Sequence, residues 1–232
     1  MDKIEEYLKP TSIIDSDSQP LRQKATELTS GESDPVEKAK RLFYFVRDQI
    51  KYTMYVDIEH AENYRASHIL QVGEGYCVMK AVLLVALARA AGIPARLAFA
   101  DLINYMIPRK YIEMQGNNRV IYHGFAEIHL NGKWVKLTPS FDIDMCRKYG
   151  ILPTDFDGET DALLQPVDQR GNRHIEYIEF HGSYQDLPHQ EIIEATTRGY
   201  KPGFLDTWRE HARQEQGIKP PSKPEEYWGS SK

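Results

Sequence analysis

Cys77 and His123 are the cysteine and the histidine whose surroundings in the sequence favour a nucleophile–base pair. Cys77 follows the glycine-containing segment Gly73–Gly75 and opens an apolar run, so we predict that it begins a buried helix. The free N–H groups and the positive dipole at such a helix end favour a thiolate, so we expect a lowered pKa and a nucleophilic sulfur. The same N–H groups would stabilise an oxyanion. A cysteine that is merely small, apolar and buried is the alternative interpretation.

His123 belongs to a segment of alternating pattern, residues 122–130, that predicts a β-strand. Asn131-Gly132 follows and is a strong signal for a two-residue hairpin turn, with the returning strand over Lys133–Thr138. A base that shares a face with a polar group on the neighbouring strand is what a Cys–His pair requires. A histidine buried for packing is the alternative.

The register of this hairpin determines which side chains share a face with His123. A two-residue turn places Leu130 opposite Lys133, and therefore Thr138 and Ser140 on the His123 side. Asp142 continues the same parity if the chain stays extended. Across the same hairpin, we expect Glu127 to form an ion pair with Lys136.

The remaining elements are predicted from periodicity and end signals. An amphipathic helix begins at Asp34-Pro35, with an N-cap and a proline at the first helical position, and runs to about Ile50. The Cys77 helix ends near Gly92, which suits a left-handed cap, and Pro94 follows. We expect a short helix at residues 21–28 and further strands at 95–100 and 174–180. Residues 51–75 and 101–120 are predicted to be irregular, and the tail from residue 217 is predicted to be mobile.

Composition narrows the class of protein. The 232 residues are 41% hydrophobic and 27% charged, as in ordinary globular proteins, and the net charge of -5 argues against nucleic acid and an anionic membrane surface as partners. The longest apolar stretch is too short to span a bilayer. The acidic N-terminus lacks the features of a secretory signal, so we expect a cytoplasmic location. The two cysteines permit no disulfide framework, and Cys146 is expected to be buried and structural.

Several linked segments resemble the transglutaminase-like superfamily. Residues 77–84 (CVMKAVLL) and 89–96 (RAAGIPAR) resemble its nucleophile segment, while residues 123–127 (HGFAE) and 132–137 (GKWVKL) are similar to its histidine segment and the tryptophan strand after it. The resemblance extends from about Pro35 to Asp142. It implies that Cys77 is the nucleophile and His123 its base.

The resemblance also implies a third catalytic residue, and here the chain departs from the family. The family places an aspartate before a proline at the end of the tryptophan strand, whereas this chain has Thr138 before Pro139. A threonine hydroxyl can hold the imidazole tautomer but cannot stabilise an imidazolium by charge. We therefore predict Asp142 as the third member of the triad, with Thr138 as the alternative.

The implied architecture is α+β and papain-like, with a central helix packed on an antiparallel sheet. We expect an N-terminal extension (1–33), a catalytic domain (34–200), and a C-terminal helix and tail (201–232). The expected activity is hydrolysis of a peptide, isopeptide or other amide bond in a peptide or protein substrate through a Cys77 thioester. Protein-glutamine transamidation and an inactive interaction module are the alternatives. No cofactor is expected. No metal site is expected either, because neither cysteine and none of the other histidines, His174 among them, shows ligand spacing. Calcium is not expected because no acidic ligand loop stands out.

Overall fold

The structure is a computed structural model that describes residues 4–215. Its longer elements follow one another as α1 (Gln19–Thr29), α2 (Pro35–Gln49), β1 (Lys51–Tyr52), α3 (Ala66–Val72), β2 (Glu74–Gly75), α4 (Cys77–Ala90), β3 (Ala95–Asn104), α5 (Arg109–Gln115), β4 (Arg119–Leu130), β5 (Lys133–Leu137), α6 (Ile143–Tyr149), β6 (Ile175–Tyr184), α7 (His189–Gly199) and α8 (Phe204–Glu215). Two short 3₁₀ helices cover Ile4–Leu8 and Ala61–Tyr64. None of the helices in this part of the chain is long and apolar enough to cross a membrane.

Helix α4 lies at the centre of the fold, as its sequence predicts. Residues 81–88 are all fully buried, because α1, α2 and α3 pack against one side of the helix and β3 and β4 against the other. The helix ends at Ala90, and Gly92 follows in the left-handed conformation at φ +79°. The predicted position of this C-terminal signal is therefore confirmed.

The main sheet is antiparallel, with strand order β5-β4-β3-β6. The predicted hairpin register is confirmed, because Leu130 pairs with Lys133. Asn131 and Gly132 both have positive φ angles, as a type I′ turn requires. After β5 the backbone N–H of Thr138 donates to the carbonyl of Ala162 at 2.8 Å, so the chain leaves β4 at this point.

The predicted Glu127–Lys136 ion pair is wrong, although the two residues do face each other across the hairpin. The Glu127 carboxylate instead accepts from Arg96 at 2.7 Å and from Ser183 at 2.6 Å. Arg96 is directly opposite Glu127 on β3, and its guanidinium is held over the ring of Trp134 at 4.1 Å. A central strand has two neighbours, and here the half-buried Arg96 on the second neighbour binds the carboxylate.

The two segments predicted to be irregular contain regular structure. Strand β3 continues through residues 101–104, α5 follows, and β4 begins at Arg119. The charged Asp101 fits within β3 because Arg119 and His181 bind its carboxylate at 2.6 and 2.8 Å. Residues 51–75 likewise contain β1, α3 and β2. The predicted tail from residue 217 lies outside the described residues.

Lys80 joins the central helix to the end of α2. Its side chain is fully buried, and its ammonium donates to the carbonyls of Arg47 at 2.9 Å and Ile50 at 2.6 Å. These carbonyls belong to the C-terminal turn of α2, where a cation is electrostatically favoured. Burial lowers the pKa of Lys80 to about 7.

We expect Lys80→Met to lower the free energy of unfolding by about 2–4 kcal/mol, because two buried carbonyls lose their donor. Urea denaturation at neutral pH measures this change. Lys133→Met, at an exposed position of β5, is the matched control and should stay within about 0.5 kcal/mol of wild type. Equal stability of the two variants would contradict a tethering role for Lys80.

Candidate active site

Cys77 occupies the first position of α4 and is 5% exposed. Three backbone N–H groups act on its sulfur: that of Gly124, that of Val78 and that of Cys77 itself. The Gly124 N–H comes from β4, from the residue that follows His123. The strand that carries the histidine therefore lies against the head of the helix.

Glycine is required at position 124 for this approach. A Cβ atom there would lie 2.8 Å from the Cα of Val78, a backbone atom that cannot move aside cheaply. Strand β4 can therefore lie directly against the first turn of α4 because residue 124 has no side chain.

His123 is 3% exposed and faces aromatic neighbours. Its ring centroid lies 6.4 Å from that of Phe125 and 6.1 Å from that of Tyr177 on β6. Its Nε2 atom is buried and makes no hydrogen bond to any group in the described part of the chain. His123 and Cys77 line the same internal cavity, which has a volume of about 100 Å³.

The residue before His123 is held in place by a polar network. Tyr122 has a φ of +51°, which is uncommon for a tyrosine. Its N–H donates to Asp101 at 2.8 Å, and its ring stacks on that of His181 at 4.1 Å. Asp101, His181 and Glu179 offer ligand atoms within 4.8 Å of one another. The guanidinium of Arg119 binds both carboxylates, so we interpret the group as an ion network that supports Tyr122.

The predicted lowering of the Cys77 pKa is wrong for this closed arrangement. Burial raises the pKa of the Cys77 thiol to about 11, in spite of the three N–H groups that act in the opposite direction. Burial also lowers the pKa of His123 to about 3. Both shifts disfavour charge, so the resting pair is a neutral thiol and a neutral imidazole. Helix-end donors are present as the sequence suggests, but desolvation outweighs them.

The structure places Asp142 at the N-cap of α6. One carboxylate oxygen accepts from the N–H of Met145 at 2.8 Å, and the other accepts from the N–H of Tyr52 at 3.2 Å. A carboxylate next to His123 would raise the histidine pKa, whereas burial alone accounts for the shift of His123 among the described residues. The carboxylate of Asp142 therefore binds two backbone N–H groups, those of Met145 and Tyr52.

Two hydroxyl groups lie fully buried on the segment that follows β5. Ser140 lines the cavity together with His123, and its Oγ makes no hydrogen bond to a described residue. Thr138 Oγ1 also has no well-formed hydrogen bond in this part of the chain, although the nearby Tyr177 hydroxyl acts on it. Thr138 and Ser140 are the two residues that the hairpin register predicts on the His123 face.

His174 is a cavity residue that the sequence gives no reason to select. It is 1% exposed, and neither ring nitrogen has a partner within residues 4–215. It precedes β6, far in sequence from the cysteine and histidine segments, so spacing could not have identified it. Cys146 is buried and free, as predicted.

A helix with a cysteine at its head, packed on an antiparallel sheet that carries a histidine, is the architecture of papain-like thiol enzymes. The family model of the transglutaminase-like superfamily matches residues 22–139, half of the chain, and the chain belongs to this superfamily. The α+β fold with this core is therefore as the sequence predicts. Membership supports a cysteine-dependent enzyme in general terms.

Similar solved structures include a candidate cysteine protease from Cytophaga hutchinsonii, with 15% identity, 79% of this chain and 55% of that chain covered, and a TM-score of 0.47. A candidate protease from Parabacteroides distasonis has 17% identity, with 59% of this chain and 25% of that chain covered, and a TM-score of 0.38. The periplasmic domain of TgpA from Pseudomonas aeruginosa has 20% identity, with 57% of this chain and 45% of that chain covered, and a TM-score of 0.39. The chain thus spans about half the length of the first of these proteins, and less than half of the length of the other two. No curated protein sequence matches significantly.

The two cavity histidines predict acid sensitivity. Burial lowers the pKa of His123 to about 3 and that of His174 to about 4, while the unfolded value is 6.5. Between these limits the unfolded chain binds more protons, so stability is complete above about pH 6.5 and falls as the pH decreases. Each histidine adds about 1.4 kcal/mol per pH unit to this slope.

We expect His123→Phe to reduce the slope of the free energy of unfolding against pH by about 1.4 kcal/mol per pH unit between about pH 6 and pH 4.5. Urea denaturation over a pH series measures it. His68→Phe, at an exposed histidine, is the control and should retain the wild-type slope. An unchanged slope in His123→Phe would show that His123 is not held neutral by burial.

Proposed function

We propose that this protein is an acyl-transfer enzyme in which Cys77 is the nucleophile and His123 the general base, and that its main reaction is hydrolysis of an amide bond in a peptide or protein. The observation that carries the proposal is the close approach of Gly124, the residue after His123, to Val78 in the first turn of α4. Through it, the head of a buried helix and the strand bearing His123 meet at one cavity.

The neutral state of both groups defines the first step. Because a free thiolate is disfavoured, the thiol proton moves to His123 as the sulfur attacks the carbonyl carbon. Negative charge then develops on the carbonyl oxygen, and the N–H groups at the head of α4 are placed to stabilise it.

The second half returns the enzyme to its starting state. The tetrahedral intermediate collapses when the protonated His123 gives its proton to the leaving amine, which departs and leaves a thioester on Cys77. His123 next removes a proton from water, whose oxygen attacks the thioester. The acid is released and the proton returns to the sulfur. A primary amine in place of water would give transamidation.

For the group that orients His123, we propose a hydroxyl of the segment after β5, from Thr138 or Ser140. Both are fully buried. Ser140 lines the cavity together with His123, and Thr138 lies near the hydroxyl of Tyr177, whose ring neighbours that of His123. Neither hydroxyl brings a charge, which agrees with the strongly lowered pKa of His123. Asp142 is assigned to capping α6 and binding the Tyr52 N–H.

We expect an apolar p-nitrophenyl ester to transfer one acyl group to Cys77, detectable by intact-mass and peptide mass spectrometry, and to be turned over. His123→Ala should slow both acylation and release by about 10²–10⁴-fold, because the general base is lost. Adding a primary amine and analysing the products separates hydrolysis from amine transfer.

Cys146→Ser is the matched control, since Cys146 is the second buried cysteine of the chain, and it should keep the wild-type rate. Acylation of Cys77 at the same rate with and without His123, or no turnover of the thioester, would favour an inactive interaction module over an enzyme.

We expect Thr138→Val or Ser140→Ala to lower kcat about tenfold, the value of one hydrogen bond that the hydroxyl forms to the base during the reaction. Asp142→Asn should leave kcat within about twofold, because asparagine is also a good N-cap. Steady-state kinetics of the three variants decide the assignment. A loss of about 10⁴-fold in Asp142→Asn would instead identify Asp142 as the carboxylate of a triad.

A further inference from the structure

The walls of the cavity limit the chemical class of its occupant. They are built from aromatic and aliphatic side chains of distant segments, including Tyr52, Val120, Leu164, Ile193 and Trp208. Among the described residues that line it, none is an aspartate, glutamate, lysine or arginine. A charged group would lose its hydration on entry and find no opposite charge, so the cavity favours an uncharged, largely apolar group.

Neutral polar side chains such as Asn104, Gln115 and Thr196 also line the cavity. His174 differs from these three because both of its ring nitrogens are unpartnered among the described residues. Its ring is 1% exposed, and within residues 4–215 both nitrogens lack a hydrogen-bond partner. Burial lowers its pKa to about 4, so the ring is neutral near pH 7 and offers one donor and one acceptor. A buried polar group without a partner is costly, which makes such a group in a native cavity informative.

The position of the His174 ring is determined by contacts on either side. Its backbone N–H donates to Pro166 at 2.8 Å, and its carbonyl accepts from Tyr105 at 2.9 Å. The ring stacks against Phe141, with centroids 6.1 Å apart and an interplanar angle of 25°. The imidazole is therefore presented to the cavity in a defined orientation by groups that leave its nitrogens available.

We propose that His174 is the specificity-determining residue of the Cys77 cavity, and that it selects an uncharged, mainly apolar acyl group carrying one hydrogen-bonding atom. This inference rests on the proposed function, because it places the acyl part of the substrate in that cavity. The apolar walls supply affinity through burial of surface, and His174 distinguishes ligands that satisfy its ring from isosteres that do not.

Binding without chemistry tests the proposal. We would use the Cys77→Ala protein, so that no acyl-enzyme forms, and titrate phenylpropionamide, its three ring-hydroxylated isomers and its p-carboxy derivative by calorimetry. We expect at least one hydroxylated isomer to bind about tenfold more tightly than the parent amide, because it satisfies a buried imidazole. The carboxylate should bind at least about a hundredfold more weakly than the parent.

The ratio of the dissociation constants of matched ligands shows whether His174 recognises the ligand or only supports the structure of the cavity. His174→Phe in the Cys77→Ala background should remove the preference for the hydroxylated isomer while retaining discrimination against the carboxylate. His174→Asn, which keeps a donor and an acceptor, covers the case in which the phenylalanine variant does not fold. His68→Phe is the surface control and should keep all ratios.

Three results would overturn the proposal: no hydroxylated isomer preferred, a preference that survives in His174→Phe, or tight binding of the carboxylate. Absence of binding by the whole series would overturn it as well. None of these results bears on the acyl-enzyme experiment, in which formation and turnover of the Cys77 thioester decide the proposed function separately.

Discussion

The contact between the first turn of α4 and strand β4 is the constraint on which the rest of the site depends. Gly124 lies so close to Val78 that no side chain fits between them, and its N–H favours the thiolate form of Cys77. Every other part of the site is arranged around this contact. The apolar helix brings the cysteine to the centre of the molecule, and the strand brings the histidine and its neighbours to the same place.

The same burial that assembles the site also suppresses its charge. Cys77 and His123 are held together by a closely packed interior, and that interior disfavours both the thiolate and the imidazolium. In enzymes whose resting state is a thiolate–imidazolium ion pair, the thiolate attacks directly. A neutral pair instead requires proton transfer and bond formation to proceed together. The burial of both groups is therefore part of how this site would work.

Local patterns predicted most of the core. The all-apolar run after Cys77 predicted a central helix, and Asn131-Gly132 predicted a hairpin with the observed register, because both depend on residues close in sequence. Features that depend on a third element were not predictable in this way. Glu127 finds Arg96 instead of the lysine across the hairpin, and the pKa of Cys77 depends on how completely other segments cover it. His174 was missed for the same reason.

The cavity wall extends beyond the part of the chain that matches the superfamily. Residues 22–139 contain Cys77 and His123, whereas Ile192, Ile193 and Thr196 of α7 and Phe204 and Trp208 of α8 come from after it. The indole of Trp208 is bound to the Val56 carbonyl at 2.9 Å, which secures α8 over the cavity. Under the proposed function, part of the wall that would contact the acyl group therefore lies outside the stretch that contains the proposed nucleophile and base. Substitutions in these two C-terminal helices would then alter the shape of the cavity without replacing Cys77 or His123.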